Sequence, residues 1–69
     1  DREDIEQLIS FAHEYELEVE LLYVKQNEQE TRVTVQPRGI EGERMYAHNP
    51  TTDTDAVYSL TRILRARLL

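Results

Sequence analysis

Cysteine and tryptophan are absent from this 69-residue chain, lysine, methionine and phenylalanine occur once each, and glycine and proline twice. Without cysteine there is no disulfide and no thiolate-ligated zinc. Cysteine-free chains occur in reducing and oxidising surroundings alike, so the redox setting stays open. Gly39 and Gly42 are too few for a glycine-rich phosphate loop. No apolar run approaches the roughly 18 residues of a membrane helix, and no basic-then-apolar leader opens the chain. Length adds a limit of its own. A chain this short is one domain that buries about 60 % of the surface its unfolded form exposes, enough for a single small core. An enclosed catalytic cavity would compete for that volume. The chain begins with Asp1 rather than Met and ends on Leu68 and Leu69. The expectation is a single domain over residues 1–69 that belongs to something longer.

The net charge of −6 hides a division. Residues 1–29 carry −7, whereas residues 30–69 carry +1, with every cation there an arginine: Arg32, Arg38, Arg44, Arg62, Arg65 and Arg67. Overall acidity disfavours general adhesion to nucleic acid, yet a local arginine face survives in the second half. Arginine's planar fork suits bidentate pairing with carboxylate or phosphate. Two uses stand open: neutralising the surplus acids, or binding an anion.

Hydrophobic period divides the chain into a helix and short strands. Ile5, Leu8, Ile9 and Ala12 follow helical spacing, with Tyr15 extending the stripe. Asp4 reads as the N-cap, with Gln7 completing a capping-box-like pair, and Asp1, Glu3 and Glu6 suit the positive end of the helix dipole. The period then falls to two. Leu17, Val19, Leu21 and Tyr23 alternate with Glu16, Glu18 and Glu20 as in a half-buried strand. Lys25 to Glu30 makes a hairpin loop, and Val33 and Val35 carry a second strand up to Pro37, which lacks a ladder donor. Pro37-Arg38-Gly39 reads as a bend before a very short strand at Ile40, and Glu41-Gly42 as a tight turn. Arg44 to Asn49 alternates Met45 and Ala47 with Arg44, Tyr46 and His48. Asn49 to Asp55 is the most loop-like stretch, and Ala56 to Leu60 is extended again. Residues 63–69 fit helix or strand equally. The expected class is α+β: a helix at 1–15 packed on a small, strongly bent antiparallel sheet of about five strands at 16–69, curled into a barrel to protect its edges.

Catalytic chemistry finds little support. Ser10 and Ser59 have no recognised histidine-and-acid arrangement, and Glu16, Glu18 and Glu20 alternate as solvated strand residues do. A metal site from His13 and His48 with Asp53 or Asp55 lacks ligand spacing, so neither metal nor cofactor is expected. His13 suits the negative end of the helix. Tyr46, between Arg44 and His48 on one strand face, has the composition of a stacking platform for single-stranded nucleic acid, or equally of an ordinary outer sheet face.

The runs L-L-Y (Leu21 to Tyr23), R-V-T-V-Q-P (Arg32 to Pro37) and Y-S-L-T-R-I (Tyr58 to Ile63), in that order, resemble the WYL domain family. Met45-Tyr46-Ala47 stands where the naming tripeptide would fall. In the closing motif Tyr58 replaces Phe, Leu60 and Arg62-Ile63 are kept, and Ser59 and Thr61 take the Arg and Asp positions. Ala56 stands where another Arg is common. The resemblance implies an SH3-like barrel behind a helix, in the cytoplasm of bacteria, downstream of a helix-turn-helix in regulators or beside helicase and nuclease modules. It also implies ligand sensing, with nucleotides or nucleic acids as ligands. The expected ligand surface combines Arg32, Arg38, Arg44, Tyr46, His48 and Arg62. Parent-protein domains are the expected partners, and a protein-docking role through the acidic helix (Glu3, Glu6, Glu14) or a free sheet edge is the alternative.

Overall fold

A computed structural model describing residues 1–69 places a helix, α1, at Arg2–Glu14. Ile9 and Ala12 are fully buried and Ile5 and Leu8 pack at the margin of the core, so the apolar stripe does the work its spacing predicts. The cap differs from expectation. Asp1, not Asp4, is the N-cap: its Oδ1 accepts from the Glu3 amide at 2.8 Å and the Asp4 amide at 3.2 Å. Nothing in Arg2-Glu3-Asp4 opposes helix, so α1 extends a turn further and Asp4 becomes a first-turn acid beside the positive dipole end. At the other end Tyr15 is the C-cap and is exposed rather than part of the stripe. Leu17 N–H bonds Ala12 C=O at 2.8 Å and Glu16 N–H bonds His13 C=O at 3.3 Å, a Schellman closure. Such a closure needs a left-handed residue, and Glu16 supplies it at φ 56° where glycine is usual.

Five strands follow: β1 (Val19–Val24), β2 (Glu30–Glu41), β3 (Arg44–Asn49), β4 (Thr54–Ser59) and β5 (Ile63–Leu68). All pairings are antiparallel, in the order β4-β3-β2-β1-β5. Residues 63–68, ambiguous by period, are strand because β1 offers them a ladder from Val19↔Leu68 to Tyr23↔Ile63. The expected break at Pro37 is a bend within one strand. β2 pairs with β1 as far as Val35 and with β3 from Gln36, and the register shifts between Pro37 and Gly39 around a bulged Arg38. Gly42 at φ 61° opens the two-residue β2–β3 turn, the glycine-first form of hairpin turn. The expected loop at Asn49 to Asp55 shrinks to four residues, because β4 already starts at Thr54.

The inner faces of the strands close on α1. Val19, Leu21, Val35, Met45, Ala47 and Ile63 are buried with Ile9 and Ala12. Leu60, 1 % exposed, fills the end of the core from a 3-10 turn (Leu60–Arg62) that joins β4 to β5. β4 and β5, joined by that turn, are the two edges of the sheet. Tyr23 packs edge-on against Tyr58 at 5.1 Å, and its hydroxyl accepts from the Ser59 amide at 3.3 Å. Burial, with Tyr23 alongside, raises the Tyr58 pKa and keeps that phenol protonated.

Replacing Glu16 with glycine relieves the left-handed strain without touching the core. Glu16→Gly is expected to stabilise the domain by about 1 kcal/mol, read as a higher urea midpoint at unchanged m-value.

Candidate ligand-binding face

With Met45 and Ala47 buried, Arg44, Tyr46 and His48 point outward from β3 as alternation requires. Their cross-strand partners on β4 are Ser59, Val57 and Asp55. On β2 they are Glu41, Gly39 and Gln36. Tyr46 is 38 % exposed and Val57 opposite it is 54 % exposed, which makes a small apolar platform. On the platform's other side Gly39 has no side chain, and a Cβ built there meets nothing within 4 Å. Beside the platform runs a groove of about 460 Å³ lined by Arg38, Tyr46, Ala47, Asp55, Ala56 and Val57. Arg38, the bulge residue, stands at its rim and donates to Gln36 Oε1 at 3.2 Å. The ion pairs within 4.0 Å involve neither Arg38 nor Arg44, so both guanidiniums lack a carboxylate partner.

The other expected residues do not join this group. His48 lies between two acids, with Nδ1 2.9 Å from Asp55 and Nε2 3.2 Å from Asp53. The Asn49 side chain accepts from the Thr51 amide at 2.9 Å and turns the chain back over the histidine. His48 thus secures the β3–β4 hairpin, its ring nitrogens occupied. No three His, Asp or Glu side chains are arranged to hold a metal ion. His13 is elsewhere, its Nδ1 3.2 Å from the Pro37 carbonyl oxygen, tying the helix end to the β2 bend.

Arg62 donates from Nη1 to the carbonyls of Lys25 at 3.1 Å and Val24 at 3.4 Å. This clamp on the end of β1 explains how Arg62 is kept beside Thr61 with no acid at hand. Arg44 and Arg62 share a second groove of about 330 Å³ with Tyr23, Gln26, Glu43, Val57 and Ser59. Arg32 lies on the outer face of the β1 half of the sheet, 3.5 Å from Glu20. The structure therefore sets Arg38 and Tyr46 on one groove and Arg44 with Arg62 on a second, engages Arg62 with backbone carbonyls and His48 with two aspartates, and places Arg32 apart. Val57 and Gly39 belong to the platform without having been expected there. In sequence Gly39 reads only as part of a bend, and the pairing of Val57 with Tyr46 shows only once β3 and β4 are in register.

Loss of the Arg62 clamp removes a charged donor from two carbonyls. Arg62→Gln is expected to cost about 1–3 kcal/mol of stability in a denaturant titration, with ligand affinity of the folded protein unchanged.

Glu20 sets a pH dependence. Its pKa is lowered chiefly by the Arg67 hydrogen bond, aided by the charges of Arg67 and Arg32 and opposed by burial. A depressed carboxyl pKa stabilises the fold above the unfolded value and is lost as pH falls through the folded value. The melting temperature of the parent should therefore fall further than that of Glu20→Gln as pH drops from neutrality to well below the ordinary value of 4.5.

No protein-family model matches this sequence, and no curated protein matches it. In three dimensions, 97 % of the chain matches a segment of Proteasome accessory factor B/C (PafBC) of Arthrobacter aurescens, at a TM-score of 0.86 and 15 % identity. The matched segment is 11 % of that chain. This likeness is one of fold: a helix packed on a bent, five-stranded antiparallel sheet.

Proposed function

We propose that this chain is a noncatalytic ligand-sensing module of a larger bacterial protein, a transcription regulator or DNA-processing factor. Its ligand in this reading is planar and anionic, a nucleotide or short single strand, held on the outer face of β3. The observation that carries the reading is an exposed Tyr46 beside an empty notch at Gly39, flanked by Arg38 and Arg44 without carboxylate partners. A base stacked on a tyrosine contributes about 1–3 kcal/mol, and guanidinium forks suit the adjoining phosphates. The net charge of −6 opposes loose polyanion binding, so affinity has to come from these local groups. A noncatalytic role is supported by the commitments of the polar side chains. The Ser59 hydroxyl bonds Thr61 at 2.8 Å, and His48 is held by its two aspartates.

Protein docking is the second reading. Phe11 and Tyr15, 47 % and 58 % exposed, pack against each other at 4.8 Å on the outer side of α1, along a groove lined by Glu3, Glu6 and Glu14.

Fluorescence anisotropy with a single-stranded oligonucleotide across a salt series decides between them. Anion capture weakens with a log–log slope of about −0.7 for each phosphate engaged, and Arg38→Gln should lower that slope by about one contact. Tyr46→Ala should weaken binding about tenfold. Gly39→Leu should do the same by filling the notch, because the Gly39 backbone is outside the left-handed region and its Cβ position is open. Parent-like binding by both variants, or binding indifferent to salt, sinks the platform and leaves docking through α1.

A further inference from the structure

The β1 half of the sheet has an outer face that the platform on β3 does not use. Leu22 is paired with Arg32 on one side and Arg65 on the other, and Glu20 is paired with Arg67. Arg32 and Arg65 thus rise from strands two apart, about 10 Å between backbones, with Arg67 about 7 Å further along β5. Those separations let three long side chains converge. Glu20, its side chain 21 % exposed, takes Arg67 Nε at 2.9 Å and Arg32 Nη1 at 3.5 Å. It directs both guanidiniums over the same spot. The Arg65 side chain has neither a hydrogen bond nor an ion pair in the chain. Together they line a cleft of about 350 Å³ with Leu22 and Ala66.

Three guanidiniums against one carboxylate leave two positive charges in this cleft, within a protein of net charge −6. Arginines crowded beside one another repel, while most of the acids remain elsewhere. The strand pattern also fences the cleft: Glu30 lies two residues from Arg32 and Glu18 two residues from Glu20 on the same outward alternation. Neither acid comes within 4.0 Å of a guanidinium. A run of phosphodiesters crossing the face would meet those carboxylates at either end. One compact dianion fits between them.

We propose that the outer face of β2, β1 and β5 is a second, separate anion site. It takes a single phosphate dianion, inorganic or the head of a monoester, between Arg32, Arg65 and Arg67 above Leu22. Glu20 orients two of the arginines and competes with the ligand for them. The site stands independently of the β3 platform.

Titration of the whole chain with inorganic phosphate and with phenyl phosphate, followed by NMR at the Leu22 amide and the Arg65 side chain, tests the assignment at constant ionic strength. Saturable shifts with either probe are expected. Tighter phenyl phosphate binding identifies an ester that rests its organic part on Leu22, and equal binding identifies free phosphate; both support the site. Arg65→Gln should weaken binding about tenfold with an unchanged melting temperature, since Arg65 has no partner to lose. Glu20→Gln should tighten it several-fold by removing the competitor, whereas a purely structural ion network predicts no tightening. Tyr46→Ala should leave it unaltered, which separates failure of this site from failure of the platform. Shifts that never saturate, or an Arg65→Gln variant that binds as the parent does, overturn the proposal.

Discussion

One strand has to belong to two half-sheets, and the rest of the molecule is arranged around that demand. β2 pairs with β1 through its first half and with β3 through its second, and the change occurs at Pro37-Arg38-Gly39. Each residue there has its own physical part. Pro37 lacks an amide hydrogen and is buried, Arg38 is the extra residue that bends the strand, and Gly39 leaves room on the outer face. The bend lets two short half-sheets and one helix enclose nine apolar side chains, a core that neither half could close alone. His13 braces the bend from the helix side through the Pro37 carbonyl.

The same bend joins scaffold to surface. A regular strand would pass Tyr46 with a side chain directly opposite. The bulge offers it Gly39 instead and turns Arg38 toward the rim of the groove. The platform on β3 is thus a by-product of the curvature that makes the core. On the β1 half the strands are regular up to the shift at Leu22/Tyr23, and unbroken alternation aligns Arg32, Leu22 and Arg65 across three strands. The two faces therefore have different characters: a notch beside an aromatic ring, and an even array of cations.

Much of this was legible before any coordinates. The helix, the buried Met45 and Ala47 with Arg44, Tyr46 and His48 outward, and the antiparallel class all follow from hydrophobic period. What eluded the sequence depends on distant partners. Period alone cannot show that residues 63–68 are strand, because the deciding ladder lies forty or more residues away on β1. His48 has the composition of a ligand residue, and only the pairing of β3 with β4 sets Asp55 against it. Arg62 in isolation suits an anion as well as a carbonyl, and the open carbonyls of Val24 and Lys25 decide its use. The helix end was hidden for a local reason: a Schellman closure is signalled by glycine, and here a glutamate occupies the left-handed position.

The pairing of the last strand with the first also sets how far apart in sequence the contacts of each face lie. The β1–β2, β2–β3 and β3–β4 hairpins join neighbours in sequence and involve short loop closures, whereas the β1–β5 ladder pairs residues forty or more positions apart. Helix α1 rests on both β2 and β5, so its apolar face is fully covered only after the end of the chain has docked. The arginines of β5 reach Glu20 only through this ladder, so the cation array depends on the longest-range pairing in the sheet. The two faces thus differ in the sequence range of the contacts that build them as well as in position.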